Sequence, residues 1–108
     1  MENYIIVENY LQELRRGVIV LAVLNQVRDE QYGYSIQKLL AEKGLEVDQG
    51  TLYPLLRRLE GQGLLQSKWR IESDRPRRYY VLNSDGEKAL SSLKIEWQKM
   101  VETINHLI

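Results

Sequence analysis

The side chains best suited to binding a ligand lie at residues 51–60, where the sequence reads TLYPLLRRLE. The leucines of this stretch recur at three- and four-residue spacing, which predicts a helix with one buried face. Thr51, Tyr53, Arg57 and Arg58 are left for solvent or for a ligand. All four side chains donate hydrogen bonds, and guanidinium groups suit the oxygens of phosphate. Amphipathic helices with two arginines are common, so the neighbouring elements must decide what this helix does.

The residues just before this helix strengthen the case for phosphate binding. Asp48 is the predicted N-cap, although Pro54 restricts the helix start and allows a first turn a few residues later. A helix N-terminus favours phosphate oxygens through its dipole and its unpaired N–H groups. Gly50 would let a DNA backbone approach closely, and the amide of Gln49 suits the edge of adenine. The sequence therefore predicts that DNA contacts concentrate at residues 49–53.

Length and composition predict one folded domain. With 108 residues, 44% of them hydrophobic and 28% charged, the chain is long enough for one modest core and too short for two. No apolar run is long enough to span a bilayer, so we expect no membrane partner. The absence of cysteine excludes disulfides and thiolate metal sites and fits a cytoplasmic protein. The net charge is zero, but residues 43–78 carry 8 basic and 5 acidic groups, which concentrates positive charge around this helix.

The elements that must position the helix at residues 51–60 follow from periodicity. Apolar spacing predicts a first helix up to about Arg28, and Gly17 leaves open whether residues 1–28 form one helix or two. A polar turn at residues 28–33 leads to a short second helix at 34–43, which Gly44 stops. Residues 65–71 and 77–82 are predicted to form a β-hairpin around a turn at 72–76. The basic side chains of this hairpin are Lys68, Arg70, Arg75, Arg77 and Arg78.

The last helix carries the pattern of a coiled-coil seam. Ser84 is its predicted N-cap, and Glu87 completes a capping box. An apolar stripe with alternating three- and four-residue spacing runs through Leu90, Leu93, Trp97, Met100, Ile104 and Leu107. A helix over residues 84–107 is about 36 Å long, more than a domain of ~80 residues covers, so the stripe needs a partner helix. A second stripe, expected to pack on the partner's C-terminal helix, comprises Tyr4, Val7 and Leu11.

The order of the elements predicts a winged helix-turn-helix fold that is mainly α with a small β-hairpin. In such folds the third helix enters the major groove of DNA, and the hairpin, or wing, contacts the flanking backbone. We expect a single domain over residues 1–108: a DNA-binding part at about 14–83, a dimerisation helix at 84–108, and residues 1–13 on the partner. A twofold dimer would hold its two recognition helices about 34 Å apart. The predicted DNA-contacting residues are Tyr34, Gln49, Gly50, Thr51, Tyr53, Arg57, Arg58, Lys68, Arg75, Arg77 and Arg78.

Three segments resemble the PadR family of bacterial transcriptional regulators. They read YGYSIQKLL at residues 32–40, GTLYPLLRRLEGQGLL at 50–65 and RPRRYYVLNSDGEKAL at 75–90, and the match runs from about Leu14 to the end. The resemblance implies a winged-helix DNA-binding domain and a C-terminal dimerisation helix, acting as a repressor at a palindromic promoter site. With one helix after the wing, the chain is similar to the short subfamily that includes multidrug-sensing repressors. In that subfamily a small planar aromatic effector binds between the helices of the dimer, and Trp97 falls at the corresponding place.

The residues leave several alternatives open. Tyr34 and Tyr53 either contact DNA or pack the second helix on the third. Trp97 is either plain interface core or a platform for an effector, and Glu72 and Asp74 add negative charge that opposes phosphate binding by the wing. The alternative function is a winged-helix module that binds protein without binding DNA. Because paired carboxylates, a phosphate-binding glycine loop and a histidine cluster are missing from the sequence, we expect no enzyme activity, cofactor or metal.

Overall fold

The computed structural model describes residues 2–108 as four helices and a small antiparallel sheet. In chain order the elements are α1 (Glu2–Gln26), β1 (Gln31–Tyr32), α2 (Gly33–Glu42), α3 (Gln49–Gly61), β2 (Leu65–Glu72), β3 (Arg75–Leu82) and α4 (Ser84–Leu107). The sequence predicts that residues 1–13 pack on a partner, and residue 1 of this segment lies outside the described residues. Over residues 2–108 no helix combines the length and the hydropathy needed to cross a membrane.

An apolar core forms where α1, α2 and α3 meet the sheet. The leucines of α3 are buried as their spacing predicts, and they are Leu52, Leu55, Leu56 and Leu59. Burial of a leucine side chain contributes about 1.5–3 kcal/mol, so this face fixes the rotation of α3 against the domain. The other buried apolar residues are Val23, Leu24, Val27, Ile36, Leu40, Val47, Leu65, Tyr80, Leu82 and Leu90.

Helix α1 runs without interruption through Gly17, so residues 2–26 form one helix and not two. Val23 and Leu24 near its C-terminal end are fully buried, whereas most side chains between residues 3 and 16 are exposed. Glycine in a helix interior costs about 1 kcal/mol relative to alanine. Within the described part of the chain, nothing lies within 4 Å of the position that a Cβ would take at Gly17. The packing inside one chain therefore gives no reason for a glycine at this position.

The sheet has three strands in the order β1-β3-β2, one more than the hairpin that the sequence predicts. The polar turn expected at residues 28–33 instead contributes β1, in which Gln31 pairs with Tyr80 and Tyr32 with Tyr79. The backbone N–H of Leu82 also donates to the carbonyl oxygen of Val27, with 2.7 Å between N and O. A strand of two residues carries no alternating pattern, so only the pairing with β3 reveals it.

The wing, defined as the β2–β3 hairpin from Leu65 to Leu82, closes through a tighter turn than predicted. Ser73 and Asp74 have φ angles of 49° and 63°, so both adopt left-handed backbone conformations, as hairpin turns of two residues require. The strands therefore reach Glu72 and Arg75, and the five-residue turn predicted at 72–76 is wrong. Pro76 lies inside β3 opposite Ile71, away from the pairing with β1.

The caps of α3 and α4 decide where these helices begin. Asp48 is the N-cap of α3 as predicted, so the later start that Pro54 allows does not occur. For α4 the prediction is wrong, because the N-cap is Asn83 and not Ser84. The Asn83 Oδ1 accepts a hydrogen bond from the backbone N–H of Gly86, with 2.8 Å between the atoms. The Asn83 side chain also donates to the carbonyl of Gly63 at 2.7 Å, which ties the start of α4 to the end of α3.

Helix α4 leaves the domain after its second turn. Leu90 is only 2% exposed and belongs to the core of its own chain. It therefore does not belong to the exposed part of the apolar stripe that the sequence predicts for this helix. Every residue from 91 to 108 is exposed. The large apolar side chains on this part of α4 are Leu93, Ile95, Trp97, Met100, Val101, Ile104 and Leu107.

Candidate nucleic-acid interface

A concave cleft of about 920 Å³ opens between the start of α2, the outer face of α3 and the wing. Four arginines and four tyrosines contribute to its walls, and the described lining contains no carboxylate. The lining residues are Tyr32, Gly33, Tyr34, Tyr53, Leu56, Arg57, Trp69, Arg75, Pro76, Arg77, Arg78 and Tyr80. A concave surface with one sign of charge attracts polyanions, so the cleft suits a nucleic-acid backbone.

The N-terminal end of α3 presents its polar residues to solvent. Gln49, Gly50 and Thr51 are exposed, and Asp48 caps the helix without a side-chain hydrogen bond. The backbone N–H groups of Thr51 and Leu52 both donate to the carbonyl of Asp48, at 3.2 and 3.0 Å. Because α3 buries its leucines, this end and the arginine face are the parts that a ligand reaches.

The two arginines of α3 point to different surroundings. Both side chains are exposed, but Arg57 lines the cleft, whereas Arg58 is not part of the lining. Arg58 lies in the last turn of the helix, where a positive charge is favourable to the helix dipole. Of the pair, Arg57 is the one that shares a surface with the wing arginines.

Tyr53 is half-buried and packs against the first residue of α2. A Cβ placed at Gly33 would lie 2.2 Å from Cε1 of Tyr53, so the tyrosine ring occupies the space of the missing side chain. Tyr34 differs, since 54% of it is exposed and its ring stacks on Tyr32 with 6.4 Å between centroids. Tyr53 thus packs α2 on α3 while it also lines the cleft, and Tyr34 is open to a ligand.

Strand register divides the wing cations between two faces, because directly paired residues point to the same side of a sheet. The inner face, which includes the buried Leu65 and Leu82, carries Arg78 opposite Trp69. The outer face carries Lys68 opposite Tyr79 and Arg70 opposite Arg77. Buried Tyr80 and half-buried Tyr79 fall on opposite faces, as strand alternation predicts.

Arg78 on the inner face is held in a fixed direction by α3. Its Nη2 lies 2.9 Å from Oε1 of Glu60, and its Nε donates to the Ser67 hydroxyl at 2.9 Å. The Ser67 hydroxyl in turn donates to the other oxygen of Glu60. The guanidinium carbon also lies 5.7 Å from the ring centroids of Trp69 and of Tyr80. Glu60, which sequence reasoning did not select, therefore positions Arg78.

Three cations of the outer face, Lys68, Arg70 and Arg77, are paired with two carboxylates. Glu30, in the loop before β1, binds Lys68 at 2.9 Å and also binds Arg70. The hydrogen bond from Lys68, with the charge of Arg70, holds the pKa of Glu30 below its usual value. Glu72 lies 3.4 Å from Arg77 and accepts a hydrogen bond from the Tyr79 hydroxyl at 2.8 Å, which raises the pKa of Tyr79. No sequence signal identifies Glu30, since its partners lie about 40 residues away along the chain.

The fold and this cleft together define a winged helix-turn-helix protein of the DNA-binding type. The sequence signature of the family described as "Transcriptional regulator PadR-like family" matches residues 20–92. The chain belongs to this family of transcriptional regulators, and it is a regulator of transcription and not an enzyme.

Individual relatives agree with this assignment. A PadR family transcriptional regulator from Eggerthella lenta is 40% identical, covers 99% of this chain and 96% of its own, and superposes with a TM-score of 0.90. A PadR-like regulator from Bacillus cereus is 28% identical, with 88% and 95% coverage and a TM-score of 0.78. The transcriptional regulator Rv3488 of Mycobacterium tuberculosis is 38% identical over 82 residues, which is 75% of this chain and 77% of that protein.

The packing of Tyr53 on Gly33 predicts a strong energetic coupling between these two positions. We expect Gly33→Ala to lower the free energy of unfolding by about 1–3 kcal/mol, because the added methyl group displaces the ring. In a Tyr53→Ala background the same substitution should cost at least about 1 kcal/mol less. Urea unfolding of the four proteins measures this coupling. Gly61→Ala, in a helix position with open space around it, is the control and should not destabilise. An equal cost of Gly33→Ala in both backgrounds would contradict the packing.

Proposed function

We propose that this regulator acts in the cytoplasm as a homodimeric repressor at a palindromic DNA site, and that a small planar aromatic effector bound at the dimer interface releases it. The observation that carries the DNA-binding part is the arginine-lined cleft beside the exposed N-terminal end of α3. Residues 49–53 contact bases and phosphates from this end of the helix. The wing arginines contact the flanking backbone, and the repressor sign rests on the resemblance to the family's usual mode of action.

The exposed apolar surface of α1 and α4 supports the dimer. Trp97, Met100 and Ile104 are 42%, 57% and 50% exposed, an arrangement that costs free energy unless a partner covers it. Two residues of the N-terminal stripe are exposed as well, Tyr4 at 69% and Val7 at 55%, and Leu11 is half-buried. The proposed interface therefore pairs α4 of one protomer with residues 1–13 and with α4 of the other. The proposed DNA-binding part then covers about residues 14–83 and the dimerisation helix residues 84–108.

Gly17 adds an independent argument for a partner helix. It lines an apolar groove of about 750 Å³ between α1 and α4, together with Leu14, Leu21, Trp97 and Met100. A glycine in the middle of a long helix is costly, and the described part of the chain leaves the space beside it open. A backbone from a second copy can approach closely at this position. The groove is thus proposed to lie at the dimer interface.

The same groove supports an effector site. Its walls are largely apolar and include the partly exposed Trp97, which suits a flat aromatic compound. An effector bound there contacts α4 and α1, the elements that set the spacing of the two recognition helices in a dimer. Binding would release DNA by shifting this spacing away from one helical turn.

The two faces of the wing predict unequal roles for its cations. We expect Arg78→Ala to weaken binding of a duplex from the regulator's own upstream region about tenfold and to lower the salt slope by about 0.9 per protomer, because one phosphate contact is lost. Lys68→Ala removes the same charge from the outer face, where Lys68 is not part of the cleft lining, and should have a smaller effect. Fluorescence anisotropy at several salt concentrations measures both quantities. If both variants bind like the wild type, the wing does not contact DNA, and the protein-binding alternative gains support.

The dimer proposal predicts that a charge in the groove disrupts self-association. Met100→Glu buries a carboxylate in the interface and should raise the dimer dissociation constant at least tenfold, since an unpaired buried charge costs more than about 1.4 kcal/mol. Gln98→Glu adds the same charge to an exposed position outside the groove and serves as the control. Sedimentation equilibrium gives the association state, and thermal unfolding checks the fold. A Met100→Glu variant that dimerises as tightly as the control would count against this interface.

The effector proposal is tested through Trp97. In a Trp69→Phe variant Trp97 is the single tryptophan, because the chain has two. Titration with a planar acridine dye should quench its emission, and Trp97→Ala should weaken binding of the dye at least tenfold by loss of stacking. The dye should also dissociate the protein from its duplex in the anisotropy assay. Quenching without dissociation would contradict release of DNA by the effector, and no response to a panel of planar aromatics would make Trp97 plain interface core.

A further inference from the structure

A patch of apolar side chains lies in water on the inner face of the wing. Trp69 is 64% exposed and Ile71 is 80% exposed, and Pro76 is exposed beside them. Register makes them neighbours, because Ile71 is paired with Pro76, and Trp69, two residues before Ile71, points to the same side. We call these three residues the apolar ridge. Contiguous exposed apolar side chains of this size are a candidate surface for binding another molecule.

The surroundings of the apolar ridge favour nucleic acid as the molecule that covers it. Trp69 and Pro76 line the cleft together with Arg57, Arg75 and Arg78. The described walls of this cleft contain no carboxylate. Glu72 and Glu60 pair with Arg77 and Arg78, but Arg57 and Arg75 form no ion pair among the described residues, so the net charge of the cleft complements a polyanion. The Arg78 guanidinium lies 5.7 Å from the centre of the Trp69 ring, which places a phosphate-binding group directly beside an apolar plate.

We propose that the apolar ridge packs against the deoxyribose edges of the minor groove that flanks the sequence read by α3. This inference rests on the proposed DNA-binding function. It assigns the apolar part of the contact between the wing and DNA, which the arginines do not make. Sugar edges are apolar and are bordered by phosphates, which matches a ridge of Trp69, Ile71 and Pro76 bordered by arginines. Apolar side chains beside arginines are a recurring way of engaging the minor groove. The two-residue turn at Ser73 and Asp74 keeps the tip of the wing narrow enough for its side chains to reach the groove.

The proposal predicts that Trp69 contributes to affinity without contributing to salt dependence. Contact with sugar edges releases no counterions, whereas each phosphate contact changes the salt slope by about 0.9. We therefore expect Trp69→Ala to weaken duplex binding about tenfold with an unchanged salt slope. Arg78→Ala should lower the affinity and the slope together. Trp69→Phe keeps an aromatic plate and should retain most of the affinity.

The experiment uses the full chain with Trp97→Phe, so that Trp69 is the sole tryptophan. We expect the emission of Trp69 to shift to shorter wavelength or to be quenched as a fluorescently labelled duplex is added, in step with the anisotropy of the duplex. Trp69→Ala and Trp69→Phe are then compared in the wild-type background at several salt concentrations. Thermal unfolding of each variant shows that the exposed position tolerates the change.

The outcomes separate this inference from the function on which it rests. If the wild type does not bind the duplex, the proposed function fails and the inference fails with it. If the duplex binds while Trp69 emission and the affinity of Trp69→Ala stay unchanged, the ridge does not touch DNA, and the proposed function stands. If Trp69 emission instead changes with protein concentration in the absence of DNA, the ridge is a contact between copies of the chain. The last two results overturn the inference.

Discussion

Helix α3 has to bury Leu52, Leu55, Leu56 and Leu59, and the position of the interface depends on that burial. At about 1.5–3 kcal/mol per side chain, these leucines contribute about 6–12 kcal/mol, as much as the whole net stability of a typical domain. Rotation of α3 about its axis is therefore excluded. The fixed rotation turns Thr51 and Arg57 outward and leaves Tyr53 against Gly33, so that one packing requirement sets the groups presented at the cleft.

The wing is oriented by weaker but more specific contacts. Ion pairs between partly exposed groups contribute little to stability, about 0–1 kcal/mol each. Their effect here is to direct side chains, since Glu60 on α3 holds Arg78 on β3 and Glu30 before β1 holds Lys68 and Arg70 on β2. Each carboxylate lies on a different element from its cation, so the helices, the sheet and the loop before β1 are tied together by charge. Two of the paired cations, Arg77 and Arg78, also line the cleft, whereas Lys68 and Arg70 do not.

Two kinds of apolar surface remain exposed over residues 2–108 of the single chain. One lies on the outer part of α4 and the first half of α1. These helix segments extend beyond the domain core, which leaves their apolar side chains exposed and supports the proposed dimer. The other is small, lies at Trp69 and Ile71 in the wing, and is surrounded by arginines. Their different charge environments favour different partners, a second copy for the former and DNA for the latter. Helix α4 links the surface proposed for dimerisation to the DNA-binding fold, because the side chain of its cap Asn83 donates to the carbonyl of Gly63, two residues after the end of α3.

The sequence alone determined the helices with strong periodicity, the hairpin, the buried face of α3 and the family, because these depend on neighbours within a few residues. It also predicted the Asp48 cap. Only the tertiary structure decided the third strand at Gln31 and Tyr32, the bond from Asn83 to Gly63 and the burial of Leu90, since each depends on a segment distant in the chain. It likewise divided the basic side chains of the wing between two faces, and it paired Lys68 and Arg70 with Glu30 and Arg78 with Glu60. Charge and spacing along the chain show which groups are available, but partners across a sheet are fixed by register, and register is set by packing.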